Sequence, residues 1–117
     1  MAQQALREGV KGHLDLVLLG ALAAGPGHGY AIISSLKQRS GGALDLPEGS
    51  VYPALHRLED MGLVQSDWSS AEVRRRREYR LTPTGASALR AGRAEWSRLS
   101  TAIDAVLAAV PPRLVAP

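Results

Sequence analysis

The chain has 117 residues, 45% of them hydrophobic, enough for one core and a helical appendage but not for a second full domain. Fourteen Lys and Arg against eleven Asp and Glu give a net charge of +3, a mild excess compatible with a polyanionic partner. No cysteine occurs, which excludes disulfides, thiol catalysis and thiolate metal sites. No membrane span or signal peptide is predicted, and the reading is of a cytoplasmic protein.

Leu14, Val17, Leu18, Ala21 and Leu22 recur at helical spacing, and Leu16 and Leu19 make this first helix apolar nearly all round; Gly25-Pro26-Gly27 ends it. A second, amphipathic helix runs from about His28 to Arg39 with Ile32, Ile33 and Leu36 inward, and Ser40-Gly41-Gly42 stops it. A third runs from roughly residue 50 to 61. On it Val51, Ala54, Leu55 and Leu58 share one arc, while Tyr52, Pro53, His56, Arg57 and Asp60 share the other. Pro53 is read as a helix-start signal within the first turn, and Gly62 as the C-terminal stop. Three helices with the third presented outward make a helix-turn-helix.

Val64, Ser66 and Trp68 fall on one side of a strand, and a second strand over about residues 78–81 carries Tyr79 and Leu81 inward. The hairpin between them ends in Arg74-Arg75-Arg76-Arg77, a basic wing. Thr82-Pro83 then opens a long helix to about Val110, closed by Pro111-Pro112. Along it Leu89, Gly92, Trp96, Leu99, Ile103, Val106 and Val110 step alternately by three and four, the spacing of a coiled-coil seam. A helix of about 27 residues extends roughly 40 Å, too far for a small domain to cover, so a homodimer is expected. The expected fold is mainly α with a small β-hairpin: a winged helix-turn-helix over residues 1–82, a dimerisation helix over 83–110 and a tail over 111–117.

The free face of the third helix suits a DNA major groove, with groups that donate to guanine or phosphate. An ordinary solvated amphipathic helix has the same pattern, and the wing beside it tips the reading toward DNA. Candidate DNA-binding residues on this face and on the wing are Tyr52, Pro53, His56, Arg57, Arg74, Arg75, Arg76 and Arg77. Tyr52 has a second reading as an edge-of-core aromatic, and Tyr30 is mostly structural. On the seam, Trp96 reads first as an apolar knob. The sharper alternative is an effector site, with Gly92 leaving room and Leu99 beside it. His13, His28 and His56 lie on different elements without ligand spacing, so no metal is expected; nor is a cofactor or a catalytic residue. The competing class is a winged-helix protein-interaction module without operator binding.

His28-Gly29-Tyr30, Gly49-Ser50-Val51-Tyr52-Pro53-Ala54-Leu55, Arg57-Leu58-Glu59, Gly62-Leu63-Val64 and Tyr79-Arg80-Leu81-Thr82 before Gly85 together resemble the PadR family of bacterial transcription regulators. The likeness runs from about Leu14 to Val110, and the single C-terminal helix is similar to the family's short subgroup. It implies a dimer built by the N- and C-terminal helices, repression at a palindromic promoter site on double-stranded DNA, and Ser50, Tyr52, Pro53 and Arg57 as the residues of the third helix that face the DNA. Some members of the family bind flat aromatic or phenolic molecules near the dimer centre, which implies a small planar aromatic effector that stacks on Trp96. The wing departs from the family's usual pattern: it has four arginines and Glu78-Tyr79 where a glycine or proline tip, one or two basic residues and paired tyrosines are usual.

Overall fold

The computed structural model describes residues 10–69 and 76–114. A 3-10 turn, Lys11–His13, leads into α1, Leu14–Ala23. Leu18, Leu19, Ala21 and Leu22 of α1 are buried, and its remaining apolar flank, Leu16 and Val17, is only half covered. A two-residue strand, β1 (Gly27–His28), precedes α2 (Gly29–Arg39). His28 is therefore the N-cap of α2: its Nδ1 accepts the Ala31 N–H at 3.2 Å, satisfying a donor that the helix itself leaves unpaired. The hairpin of the sequence reading thus gains a third strand. The sheet is antiparallel in the order β1-β3-β2, with Gly27 opposite Tyr79 and His28 opposite Glu78.

The turn after α2 uses Gly41 and Gly42 at φ of 64° and 89°, and Leu46 then plugs the core. α3 spans Glu48–Asp60 and buries Val51, Ala54, Leu55 and Leu58, the arc expected from the sequence. It begins two residues earlier than predicted, which moves Pro53 out of the first turn and into the helix interior. An interior proline forgoes the bond to the carbonyl four residues back and crowds that carbonyl. Here that residue is Gly49, and Gly49 and Pro53 are both exposed, so the freed carbonyl faces water instead of the core. At the other end Gly62 takes φ 77°, its N–H bonds Glu59 O at 2.9 Å, and the Leu63 N–H reaches back to Leu58 O at 2.9 Å. This is the paired-bond glycine cap that turns a helix sharply into the next strand.

β2 (Val64–Trp68) and β3 (Arg77–Leu81) pair with Val64 opposite Leu81 and Trp68 opposite Arg77. Val64, Ser66 and Tyr79 are buried against the helices, while Asp67, Trp68, Arg77 and Glu78 at the far end are exposed. Thr82 then caps α4, Pro83–Ala108: its Oγ1 accepts the Gly85 N–H at 2.9 Å and donates to Gly62 O at 2.7 Å. One hydroxyl thereby ties the end of the third helix to the start of the last. Gly85 is required beside it, because a Cβ there would fall 1.9 Å from Leu63 O.

Twenty-six residues of α4 extend about 39 Å, and the molecule measures 58 × 30 × 20 Å. Leu89 and Gly92 pack on α1; beyond them Trp96, Leu99, Ile103, Val106 and Leu107 are 44–69% exposed. Val110 lies past the C-cap Ala109, so the helix carries the seam only as far as Val106. No helix among the described residues is long and apolar enough to cross a membrane.

Candidate nucleic-acid interface

At about 100° per residue, the buried arc of α3 is centred between Val51 and Leu58, which places Gly49, Pro53, His56 and Asp60 on the opposite side. Ser50 and Arg57 lie on one flank, Tyr52 and Glu59 on the other. Pro53 and His56 are thus the most outward of the predicted contacts, and both are exposed. The flanking groups are engaged with the rest of the fold. The Arg57 guanidinium pairs with Asp15 of α1, and both side chains remain about half exposed. The Tyr52 ring lies against the first residue of α2: a Cβ at Gly29 would meet Tyr52 Cε1 at 2.4 Å and its hydroxyl at 2.6 Å. Tyr52 is half-buried, with its ring packed against Gly29 as in the edge-of-core reading.

The wing divides its arginines. Arg74 and Arg75 lie outside the described residues. Arg76 is exposed, and its Nη1 stands 2.9 Å from His28 Nε2. An imidazole with one proton has a single acceptor nitrogen, so the Ala31 bond to Nδ1 and a bond from Arg76 to Nε2 call for different tautomers of His28. Arg77 turns back instead: its Nε donates to Ser66 Oγ at 2.8 Å and its guanidinium stands 5.1 Å from the Trp68 ring centroid. His28, Gly29, Tyr30, Tyr52, Arg76 and Arg77 line one open cavity of about 400 Å³ between the start of α2, the flank of α3 and the base of the wing. Tyr30 is 63% exposed, so it belongs to this surface instead of the core.

His28 is not among the DNA-contact candidates read from the sequence, because β1, which carries it to the wing, is too short to leave a periodic signal. Tyr79, opposite Ser66, is buried and its hydroxyl titrates above its ordinary value, first because burial disfavours the phenolate and then because the Glu59 carboxylate repels it; Arg77 acts in the other direction.

On the far side, α1 and α4 enclose two further hollows. One, of about 370 Å³, is lined by His13, Asp15, Leu16, Gly92, Glu95 and Trp96. The other, of about 1020 Å³, is an apolar groove along Leu16, Val17, Leu89, Trp96, Leu99 and Ile103. Trp96 borders both and meets His13 edge to face, with ring centroids 4.9 Å apart. The space beside Gly92 is taken by Leu16, whose Cδ1 would lie 2.8 Å from a Cβ at that position. Gly92 therefore serves close approach of α1 and α4, and the open room lies next to Trp96 and Leu99.

Residues 18–91 match the Transcriptional regulator PadR-like family. An "Uncharacterized 37.1 kDa protein in transposon TN4556" of Streptomyces fradiae is 42% identical over 86 residues, 74% of this chain; the match spans only 24% of that protein's length. A PadR family transcriptional regulator from Eggerthella lenta superposes with a TM-score of 0.79 at 29% identity, covering 92% of each chain. Bacillus subtilis PadR in complex with operator DNA superposes with a TM-score of 0.60 at 28% identity, covering 66% of this chain and 44% of that one. The chain belongs to the PadR-like family of transcriptional regulators.

Proposed function

We propose that the chain is a dimeric, sequence-specific repressor that binds a palindromic site in double-stranded DNA. The observation that carries this reading is the open cavity that brings His28, Tyr52 and Arg76 together along one flank of α3. Pro53 and His56 face the major groove, and a phosphate oxygen of the flanking backbone accepts from Arg76 and from the Nε2–H tautomer of His28 together. Arg57 completes the contact by sharing its guanidinium between Asp15 and phosphate. The structural neighbour solved with operator DNA supports the same use of the fold.

The exposed apolar stripe from Trp96 to Val106 is the face covered by a second copy, which sets two reading helices about one DNA turn apart. A small planar aromatic effector fits the groove beside Trp96 and Leu99, where it would change the tilt between the paired helices and release the operator.

The test is a titration of a labelled fragment from upstream of the gene in the presence of excess nonspecific DNA, with sedimentation of the free protein. Retention of the fragment, a steep loss of affinity with salt, and a dimer that persists in Tyr52→Ala and Arg57→Ala while their DNA affinity falls are expected. A flat salt dependence, or competition by nonspecific DNA at equal concentration, refutes operator binding.

A further inference from the structure

Ser66 is the one buried polar residue among those described, 8% exposed in a core otherwise made of aliphatic side chains and Tyr79. A buried hydroxyl must be satisfied, and this one is satisfied twice by groups of opposite charge. Its Oγ donates to Glu59 Oε2 at 2.7 Å and accepts from Arg77 Nε at 2.8 Å. Its backbone N–H donates to the same Glu59 oxygen at 3.0 Å.

The sheet explains why that N–H is available. The backbone bonds bracketing the hairpin, Thr82 N to Leu63 O and Ser69 N to Arg76 O, put the odd-numbered residues of β2 in the hydrogen-bonded positions. β2 is an edge strand, so the Ser66 N–H points off the sheet, where Glu59 on the inner flank of α3 reaches it. A carboxylate on the reading helix, a hydroxyl in the edge strand and a guanidinium at the base of the wing thus form one chain of charge-assisted bonds. Beyond Ser66 the hairpin leaves the core, and Asp67, Trp68, Arg77 and Glu78 are all exposed. The Glu59–Ser66–Arg77 chain carries the exposed half of the wing back to α3, with Trp68 stacked against Arg77.

We infer that Ser66 is a positioning residue for DNA binding: through Glu59 and Arg77 it sets the angle of the wing to the reading helix, and thereby aims Arg76 at the phosphate held with His28. The inference rests on the DNA-binding reading above. Arg77 on this account spends its guanidinium on Ser66 and Trp68, and its neighbour Arg76 makes the contact with the nucleic acid. Rigid support of a contact residue by a fixed neighbour is what gives a binding surface its register.

The experiment measures affinity of the full chain for the upstream fragment between 0.1 and 1 M salt, for wild type, Ser66→Ala, Ser66→Thr and Glu59→Gln, with circular dichroism to confirm folding. Loss of one Arg76 contact per subunit lowers the salt slope of the dimer by about 1.8, so Ser66→Ala binds tens of fold more weakly at ~0.1 M salt and converges on wild type near ~1 M. Ser66→Thr, which keeps the hydroxyl, restores the wild-type slope. A role in stability alone shifts the melting temperature and leaves the slope unchanged in the folded protein. A wild-type slope in folded Ser66→Ala therefore overturns the inference while operator binding stands. If Ser66→Ala does not fold, a wild-type slope in Glu59→Gln overturns it equally. Wild type that shows neither fragment preference nor salt dependence refutes DNA binding, and the positioning role with it.

Discussion

Replacing Gly29 by alanine tests whether Tyr52 is a DNA contact or only a packing residue. A Cβ at Gly29 would lie 2.4, 2.5 and 2.6 Å from Cε1, Cζ and Oη of Tyr52, so the ring must retreat by about 1 Å to restore ordinary contact near ~3.5 Å. It has room to do so, because Tyr52 is half-buried with its edge in the open cavity beside Arg76. Two effects on stability oppose each other. Alanine is favoured over glycine in a helix by up to about 1 kcal/mol, while overpacking costs about 1–3 kcal/mol. The expected net loss is therefore small, about 0–2 kcal/mol. The effect on binding is larger: a hydroxyl displaced by about 1 Å forfeits a charge-assisted bond of about 1.5 kcal/mol in each subunit, up to about two orders of magnitude in Kd for the dimer. Fluorescence anisotropy with the upstream fragment, alongside a thermal melt, measures both. Tyr52→Phe removes the hydroxyl without moving the ring, so the two substitutions combined should weaken binding little more than either alone. Wild-type affinity in Gly29→Ala, or fully additive losses in the double variant, would refute the assignment of the Tyr52 hydroxyl to DNA.

Two further predictions concern the frame that holds this surface. Gly85→Ala drives a Cβ to 1.9 Å from Leu63 O, a backbone atom fixed by its bond from the Thr82 N–H, and should cost about 3 kcal/mol or more, seen as a fall in melting temperature of more than about 12 °C or as failure to fold. Gly92→Ala meets only the tip of Leu16 and should cost less than about 1 kcal/mol; equal losses at the two glycines would contradict the packing described. Tyr79 gives a pH signature. Its pKa is raised in the folded state, chiefly by burial, so the folded protein holds the phenol proton to higher pH than the unfolded chain does. The contribution is therefore fully present below the ordinary tyrosine pKa of about 10 and is lost as pH rises above it, through the folded value. Denaturant melts across this range should show a decline that Tyr79→Phe reduces, and an unchanged decline in that variant would assign it to other groups.

Much of the architecture was legible because it follows from periodicity. The buried arc of α3, the paired strands and the apolar stripe of α4 are all long enough for a repeat of two or about 3.6 to declare itself. Short features had no such signal. β1 is two residues long, and it is this strand that turns His28 from a helix opener into a member of the site. Pro53 misled the helix start, since a proline is compatible with a first turn and also with an interior position whose orphaned carbonyl is exposed; only the placement of Glu48 and Gly49 in the helix separates the two.

The arginine run shows a different limit, because four identical side chains in sequence carry no information about which way each one faces. Strand alternation sends Arg77 to the inner face, where Trp68 and Ser66 hold it, and leaves Arg76 outside beside His28. The same rule applies to Arg57: helical phase places it on the free half of α3, but at the edge nearest α1, where Asp15 supplies a counterion that sequence spacing cannot reveal across 42 positions. Tertiary partners thus separate basic residues tied to carboxylate or hydroxyl groups of the fold, Arg57 and Arg77, from Arg76, which stands exposed beside His28. For this reason net charge alone is a poor measure of binding here: Arg77→Ala and Arg76→Ala remove the same charge, yet only the first also leaves the buried Ser66 hydroxyl short of a donor.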